Sequence, residues 1–179
     1  MLLPVIEIPL KAHAHRADDI FTSIRIAKEF ELDYCIVHCT DGSRISDILA
    51  QENAEVLCGP ILCDRSKPEM SALTPKTAAA LVEKGVKTAI ITDHPVIPAQ
   101  YLVLCAALAV KAGLAEEDAL RAITTVPAKI CGIDNRVGSI KPGMDADLVV
   151  FEKNPLSCYA DPCAVVCEGK FIYGGKQND

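Results

Sequence analysis

Four short apolar runs recur along the chain with helix-forming stretches between them, and three of them stop at a side chain that can bind metal. These three are Pro-Leu-Lys-Ala-His13-Ala-His15, Tyr-Cys-Ile-Val-His38 and Thr-Ala-Ile-Ile-Thr-Asp93. β-forming runs separated by helices predict a parallel sheet with right-handed crossovers. The carboxyl ends of successive parallel strands meet at one rim, where such folds keep their chemistry. Imidazole and carboxylate are ligands for a divalent metal. The pattern therefore predicts an α/β chain with a common metal site at its strand ends.

The elements follow from periodicity and punctuation. A first strand covers Pro9 to His13, with Lys11, His13 and His15 sharing a face by the period-two rule. Asp18 and Asp19 open a helix whose apolar stripe is Ile20, Ile24 and Ala27. Tyr34 to Val37 forms the second strand. Asp41-Gly-Ser43 turns into a helix with Ile45, Ile48 and Leu49 on its inner face. Glu55 to Cys58 is the third strand, broken by Gly59-Pro60.

The loop from Ile61 to Leu73 carries Asp64, Arg65, Lys67 and Glu69 at the same rim. Thr74-Pro75 then starts a helix that Gly85 stops. The fourth strand spans Thr88 to Ile91 and leads into Asp93. A long helix over Ala99 to Ala112 and two shorter ones, Glu116 to Ile123 and Pro127 to Cys131, complete residues 1–134. Residues 135–179 form a second unit: a turn-rich stretch, a strand over Ala146 to Phe151, and a hairpin around Glu168-Gly169.

Composition narrows the class. Half of the 179 residues are hydrophobic, which fits either an aliphatic parallel-sheet core or apolar surface covered by another chain. A net charge of −6 without a basic cluster argues against nucleic acid. No apolar run reaches the roughly 20 residues of a membrane span, and the first residues do not read as a signal peptide. A cytoplasmic chain is the expectation. The nine cysteines contain no C-x-x-C pair and fall mostly within apolar stretches, so they read as free thiols behaving as small hydrophobes.

Five blocks carry a family resemblance: Lys11-Ala-His-Ala-His15, Val37-His38, Ile91-Thr-Asp93, Ala122-Ile-Thr-Thr-Val-Pro-Ala128 and Gly138-Ser-Ile-Lys-Pro-Gly-Met-Asp-Ala-Asp-Leu-Val-Val150. In these blocks the chain resembles the C-terminal half of the amidohydrolase superfamily, closest to its imidazolonepropionase and metal-dependent peptidase-like branch. The resemblance implies strands five to eight of a (β/α)8 barrel with their helices, followed by short strands of a small composite β-sandwich. It also implies hydrolysis of a non-peptide C–N bond, amide or lactam, or of a dipeptide.

By position, His13 and His38 correspond to the family's fifth- and sixth-strand ligands. Asp93 corresponds to the ligand and general base of the eighth strand. His13, His38 and Asp93 are thus the expected metal set, with Asp93 and His38 also catalytic. Lys11, His15 and Lys67 are candidate substrate contacts, and His15 is an alternative to His13 as ligand. The implied cofactor is a divalent metal, zinc foremost, with iron or manganese as alternatives.

The family's first-strand His-x-His and its fourth-strand Lys or Glu have no counterpart, because the chain starts where the fifth strand would start. A separate N-terminal half or a second copy is the expected partner, with a small molecule as substrate. Two rival readings stay open: a non-catalytic remnant or assembly module of the same fold, and a self-contained open α/β binding domain.

Overall fold

The computed structural model describes residues 9–174. Four strands, β1 (Leu10–Ala14), β2 (Tyr34–His38), β3 (Glu55–Cys58) and β4 (Lys87–Ile90), form a parallel sheet in the order β1-β2-β3-β4. Between and after them lie α1 (Ala17–Glu29), α2 (Ser46–Gln51), α3 (Lys76–Glu83), α4 (Leu102–Lys111), α5 (Glu116–Ala122) and α6 (Thr125–Ile130). Three antiparallel strands follow, β5 (Leu148–Phe151), β6 (Pro162–Cys167) and β7 (Lys170–Gly174), in the order β5-β6-β7.

The sequential strand order has a consequence for layering. Right-handed crossovers between neighbouring strands taken in order put the connecting helices on the same face. A doubly wound open sheet instead reverses its order at a switch point. On the helix-covered face, Ile36, Val56, Cys58 and Ile90 pack with Ile20 and Ile24 of α1, Leu49 of α2, Leu81 of α3 and Ala106 of α4. Each fully buried Ile or Leu there contributes about 1.5–3 kcal/mol relative to exposure. The opposite face carries Lys11 and His13, both exposed, and a small cluster of Cys35, Ala89 and Leu57 under Ile130 and Val126 of α6.

Several sequence expectations shift by a residue or two at element ends, as helix and strand boundaries commonly do. Ala99–Tyr101 forms a 3-10 turn ahead of α4 instead of its first turn. One expectation fails. Ile48 is exposed, whereas Ile45 and Leu49 are buried. A 3-10 turn over Gly42–Arg44 precedes the six-residue α2, so its inward stripe is narrowed to the i, i+4 pair. The hairpin between β6 and β7 turns on Glu168 and Gly169, both at positive φ (50° and 76°). That is the mirror-image two-residue turn that matches strand twist, and Asp147 accepts the Glu168 N–H at 2.8 Å.

Among the described residues no helix is long and apolar enough to cross a membrane.

Candidate metal centre

The carboxyl ends of β1 and β2 are stitched together by backbone bonds from Cys39 N to the Ala14 carbonyl (3.0 Å) and from Asp41 N to the His15 carbonyl (2.9 Å). The Asp41 side chain accepts the Ala17 N–H at 3.1 Å, fixing the start of α1. His13, His15 and His38 are thereby drawn together, and one ring nitrogen from each lies within 4.8 Å of the other two. Strand alternation would put His38 on the same face as Ile36. Its backbone is left-handed (φ 75°), as is that of Cys39 (φ 51°), so the strand stops there and the imidazole meets His13. Asp93 also has positive φ (55°). Such conformations are uncommon outside glycine and concentrate at functional sites.

A chain of polar contacts joins the three rings. His38 Nδ1 lies 2.7 Å from the Gly59 carbonyl; a carbonyl only accepts, so His38 carries its proton on Nδ1 and presents a lone pair on Nε2. That Nε2 is 3.2 Å from His13 Nδ1, and His13 Nε2 is 3.1 Å from His15 Nε2. With neutral rings and no ion, His13 Nδ1 donates to His38, His15 Nε2 donates to His13, and the Thr40 hydroxyl donates to His15 Nδ1 at 2.8 Å. Gly59 itself has no room for a side chain, since a Cβ there would lie 2.2 Å from the Ile91 carbonyl oxygen.

The electrostatics favour the neutral forms of His13 and His15. Burial, and then the neighbouring His38 and His13, hold His15 down at about 4. His13 is lowered by burial and by His38, while Asp93 pulls in the opposite direction. Metal ligation requires neutral imidazole. Contacts of 3.1 and 3.2 Å between ring nitrogens match the spacing of roughly 3.3 Å between ligands of tetrahedral zinc implied by Zn–N bonds near 2.0 Å. A single ion cannot take both nitrogens of His13, so ligation exchanges one of these contacts for a bond to metal. The donor set fits a zinc-type ion.

Beside the rings opens a cavity of about 210 Å³ lined by all three histidines together with Asp93, Lys67, Asp64 and Cys63. The expected trio of His13, His38 and Asp93 therefore shares one cavity, and His15 and Lys67 share it too. Lys11 stands apart: it is exposed, and its ammonium lies 3.7 Å from the Cys35 thiol. His94 is exposed in the turn that follows Asp93. Thr40, buried against His15, was not among the residues singled out from sequence, where nothing distinguishes it from other threonines near a turn.

Known proteins share the sequence pattern and the fold. The profile described as "Amidohydrolase family" matches residues 11–174. A curated fungal protein, amidohydrolase tasK of Hapsidospora irregularis, is 30% identical over 167 residues, covering 91% of this chain and 17% of its own length. The crystal structure of an amidohydrolase from Thermotoga maritima MSB8 superposes with a TM-score of 0.92 at 42% identity, covering 97% of this chain and 45% of that one. A Xaa-Pro dipeptidase structure with bound methionine shares the fold, with a TM-score of 0.73 at 22% identity over 94% of this chain and 45% of its own. The chain thus spans less than half the length of each of these proteins.

Proposed function

The chain belongs to the amidohydrolase family, and from that premise we propose that it supplies the C-terminal half of a (β/α)8 barrel in a zinc-dependent hydrolase of carbon–nitrogen bonds. The observation that carries this reading is the convergence of three imidazoles on one cavity that Asp93 also lines. His13 and His38 would hold a divalent ion, with His15 completing or bracing the set. When bound, such an ion would supply Lewis-acid polarisation and a water acidic enough to react near neutral pH. The Asp93 carboxylate takes a proton from the attacking water and returns it to the leaving amine. His38 keeps its Nδ1 proton on the Gly59 carbonyl and orients Nε2 towards the reacting group.

The substrate class is a small amide or lactam, or a dipeptide, as in the imidazolonepropionase and peptidase-like branch. The remaining strands of such a barrel would close against the edges at β1 and β4. Supporting this, the face of β1 bearing Lys11 and His13 is exposed, and α1 to α4 pack on the other side, while α6 lies over Cys35, Leu57 and Ala89 of the neighbouring strands. The three antiparallel strands β5, β6 and β7 would act as the C-terminal part of a composite β-sandwich.

The test is metal titration of the purified chain, followed by hydrolysis assays with and without a polypeptide carrying the missing half. One equivalent of zinc bound through the histidines, with hydrolysis on complementation, is the expected result. The absence of both zinc binding and complemented hydrolysis would overturn the reading. An assembly module without catalysis is a second reading, favoured by the apolar exposure of β7, where Phe171, Ile172 and Tyr173 are 65%, 67% and 60% exposed. Stable oligomers with no metal uptake would select it.

A further inference from the structure

We propose that Lys67 is the specificity-determining cation of this site, and that the substrate carries a carboxylate beside the scissile amide. This rests on the hydrolase reading above and names the substrate class within it.

The loop after β3 holds two cations, and the structure separates their jobs. Arg65 is committed: its Nε and Nη2 both donate to the Leu73 carbonyl, at 3.1 and 2.8 Å. That clasp closes the loop on itself. Met70 is buried beneath it, and its N–H donates to the Lys67 carbonyl at 3.0 Å. The backbone of Lys67 is therefore held from both sides, while its side chain lines the histidine cavity. Lys67 makes no ion pair among the described residues.

The anions around it are otherwise engaged or offset. Asp93 serves the ion and the water in this reading. Asp64 caps the Arg65 N–H at 2.7 Å. Glu69 is half-buried and lines a separate cavity with His13, His15 and the first turns of α1. Met70 and Val96 add apolar surface to the cavity, so the pocket combines a metal locus, one available ammonium and an apolar wall. An N-acyl amino acid presents matching parts: an amide carbonyl, an adjacent carboxylate and an apolar acyl group. A lysine on a flexible stem provides a point charge for such a carboxylate without demanding bidentate geometry.

The experiment uses the whole chain loaded with cobalt(II), whose visible absorption reports occupancy of the histidine site. N-benzoylglycine and its uncharged amide, N-benzoylglycinamide, are then titrated calorimetrically into wild type, Lys67→Met and Lys67→Arg. Wild type is expected to prefer the acid by tenfold or more. K67M should erase that preference while leaving amide affinity and the cobalt spectrum unchanged, and K67R should restore most of it. Equal preference in wild type and K67M, or no acid binding by cobalt-loaded wild type, overturns the proposal alone. Failure of cobalt to bind the histidines overturns the hydrolase reading and the proposal with it.

Discussion

Thr40 Oγ1 sits 2.8 Å from His15 Nδ1, and both residues are buried, at 3% and 7% exposure. This hydroxyl is the outermost member of the chain running through His15, His13 and His38 to the Gly59 carbonyl. It can donate to His15 in the ion-free state and accept from it when His15 ligates through Nε2. Ligating histidines usually hold such a partner on the second ring nitrogen, and its loss typically costs 10–100-fold in metal affinity. Thr40→Val keeps the shape and removes the hydroxyl. The expected outcome is zinc affinity about tenfold weaker or more, with Thr40→Ser near wild type. Competition with a chelator measures both, and equal affinity for wild type and T40V would remove Thr40 from the site.

Much of this architecture was readable from the chain, and the misses have physical causes. The four strands follow from apolar runs bounded by Gly, Pro or polar residues, and the residues closing these runs, His38 and Asp93, reach the rim at their carboxyl ends. His15 was harder to assign. β1 ends at Ala14, so strand alternation no longer fixes where the next side chain points; that is set by the Asp41–His15 backbone bond and by Thr40. The left-handed backbone at His38 and Asp93 leaves no mark on composition. Ile48 misled because a 3-10 turn changes the phase of a helix too short to re-establish a wide apolar stripe.

Asp93 offers a clean separation of backbone and chemistry. Its φ of 55° is tolerated by Asn far better than by β-branched or bulky residues, so Asp93→Asn retains the local conformation while losing the basic carboxylate. In the complemented enzyme, D93N should lower kcat by about 10²–10⁴-fold, the usual worth of a positioned general base. Its unfolding midpoint should stay close to wild type. A D93N enzyme with near-normal kcat would take Asp93 out of the proton transfer.

The histidine cluster should make the metal-free chain sensitive to acid. His15 is held down at about 4 in the folded protein, first by burial and then by His38 and His13, against about 6.5 when unfolded. Between these values the unfolded chain binds more protons, so stability falls as pH drops through that window. His13 is shifted in the same direction. Urea unfolding at pH 7.5, 5.5 and 4.5 should show this decline, and His15→Gln should flatten part of it. Saturating zinc at pH 7.5 should raise the midpoint of wild type and much less that of H15Q or His38→Gln. A wild-type midpoint that stays level from pH 7.5 to 4.5 would contradict the placement of these rings.

Thiol reactivity provides a map of the fold that does not depend on activity. The thiolate is the reactive form, so both access and acidity count. Cys131, Cys158, Cys163 and Cys167 are exposed, Cys63 is half-buried, and Cys35, Cys39, Cys58 and Cys105 are buried. Burial pushes Cys58 up to about 12 and raises Cys39 as well. Cys167 is raised chiefly by the Asp147 carboxylate, so it should react more slowly than the other three exposed thiols. Cys63, on the cavity wall, should follow, and zinc bound at the histidines should slow it further. Mass-mapped labelling at pH 8 with an aromatic disulfide reads this order directly. The buried four should label only in denaturant, because each lies in the apolar packing that holds the sheet to its helices or to α6. Rapid modification of Cys58 in the native chain would mean that β3 is not sandwiched as described, and that the rim carrying His38 and Asp93 is not built on it.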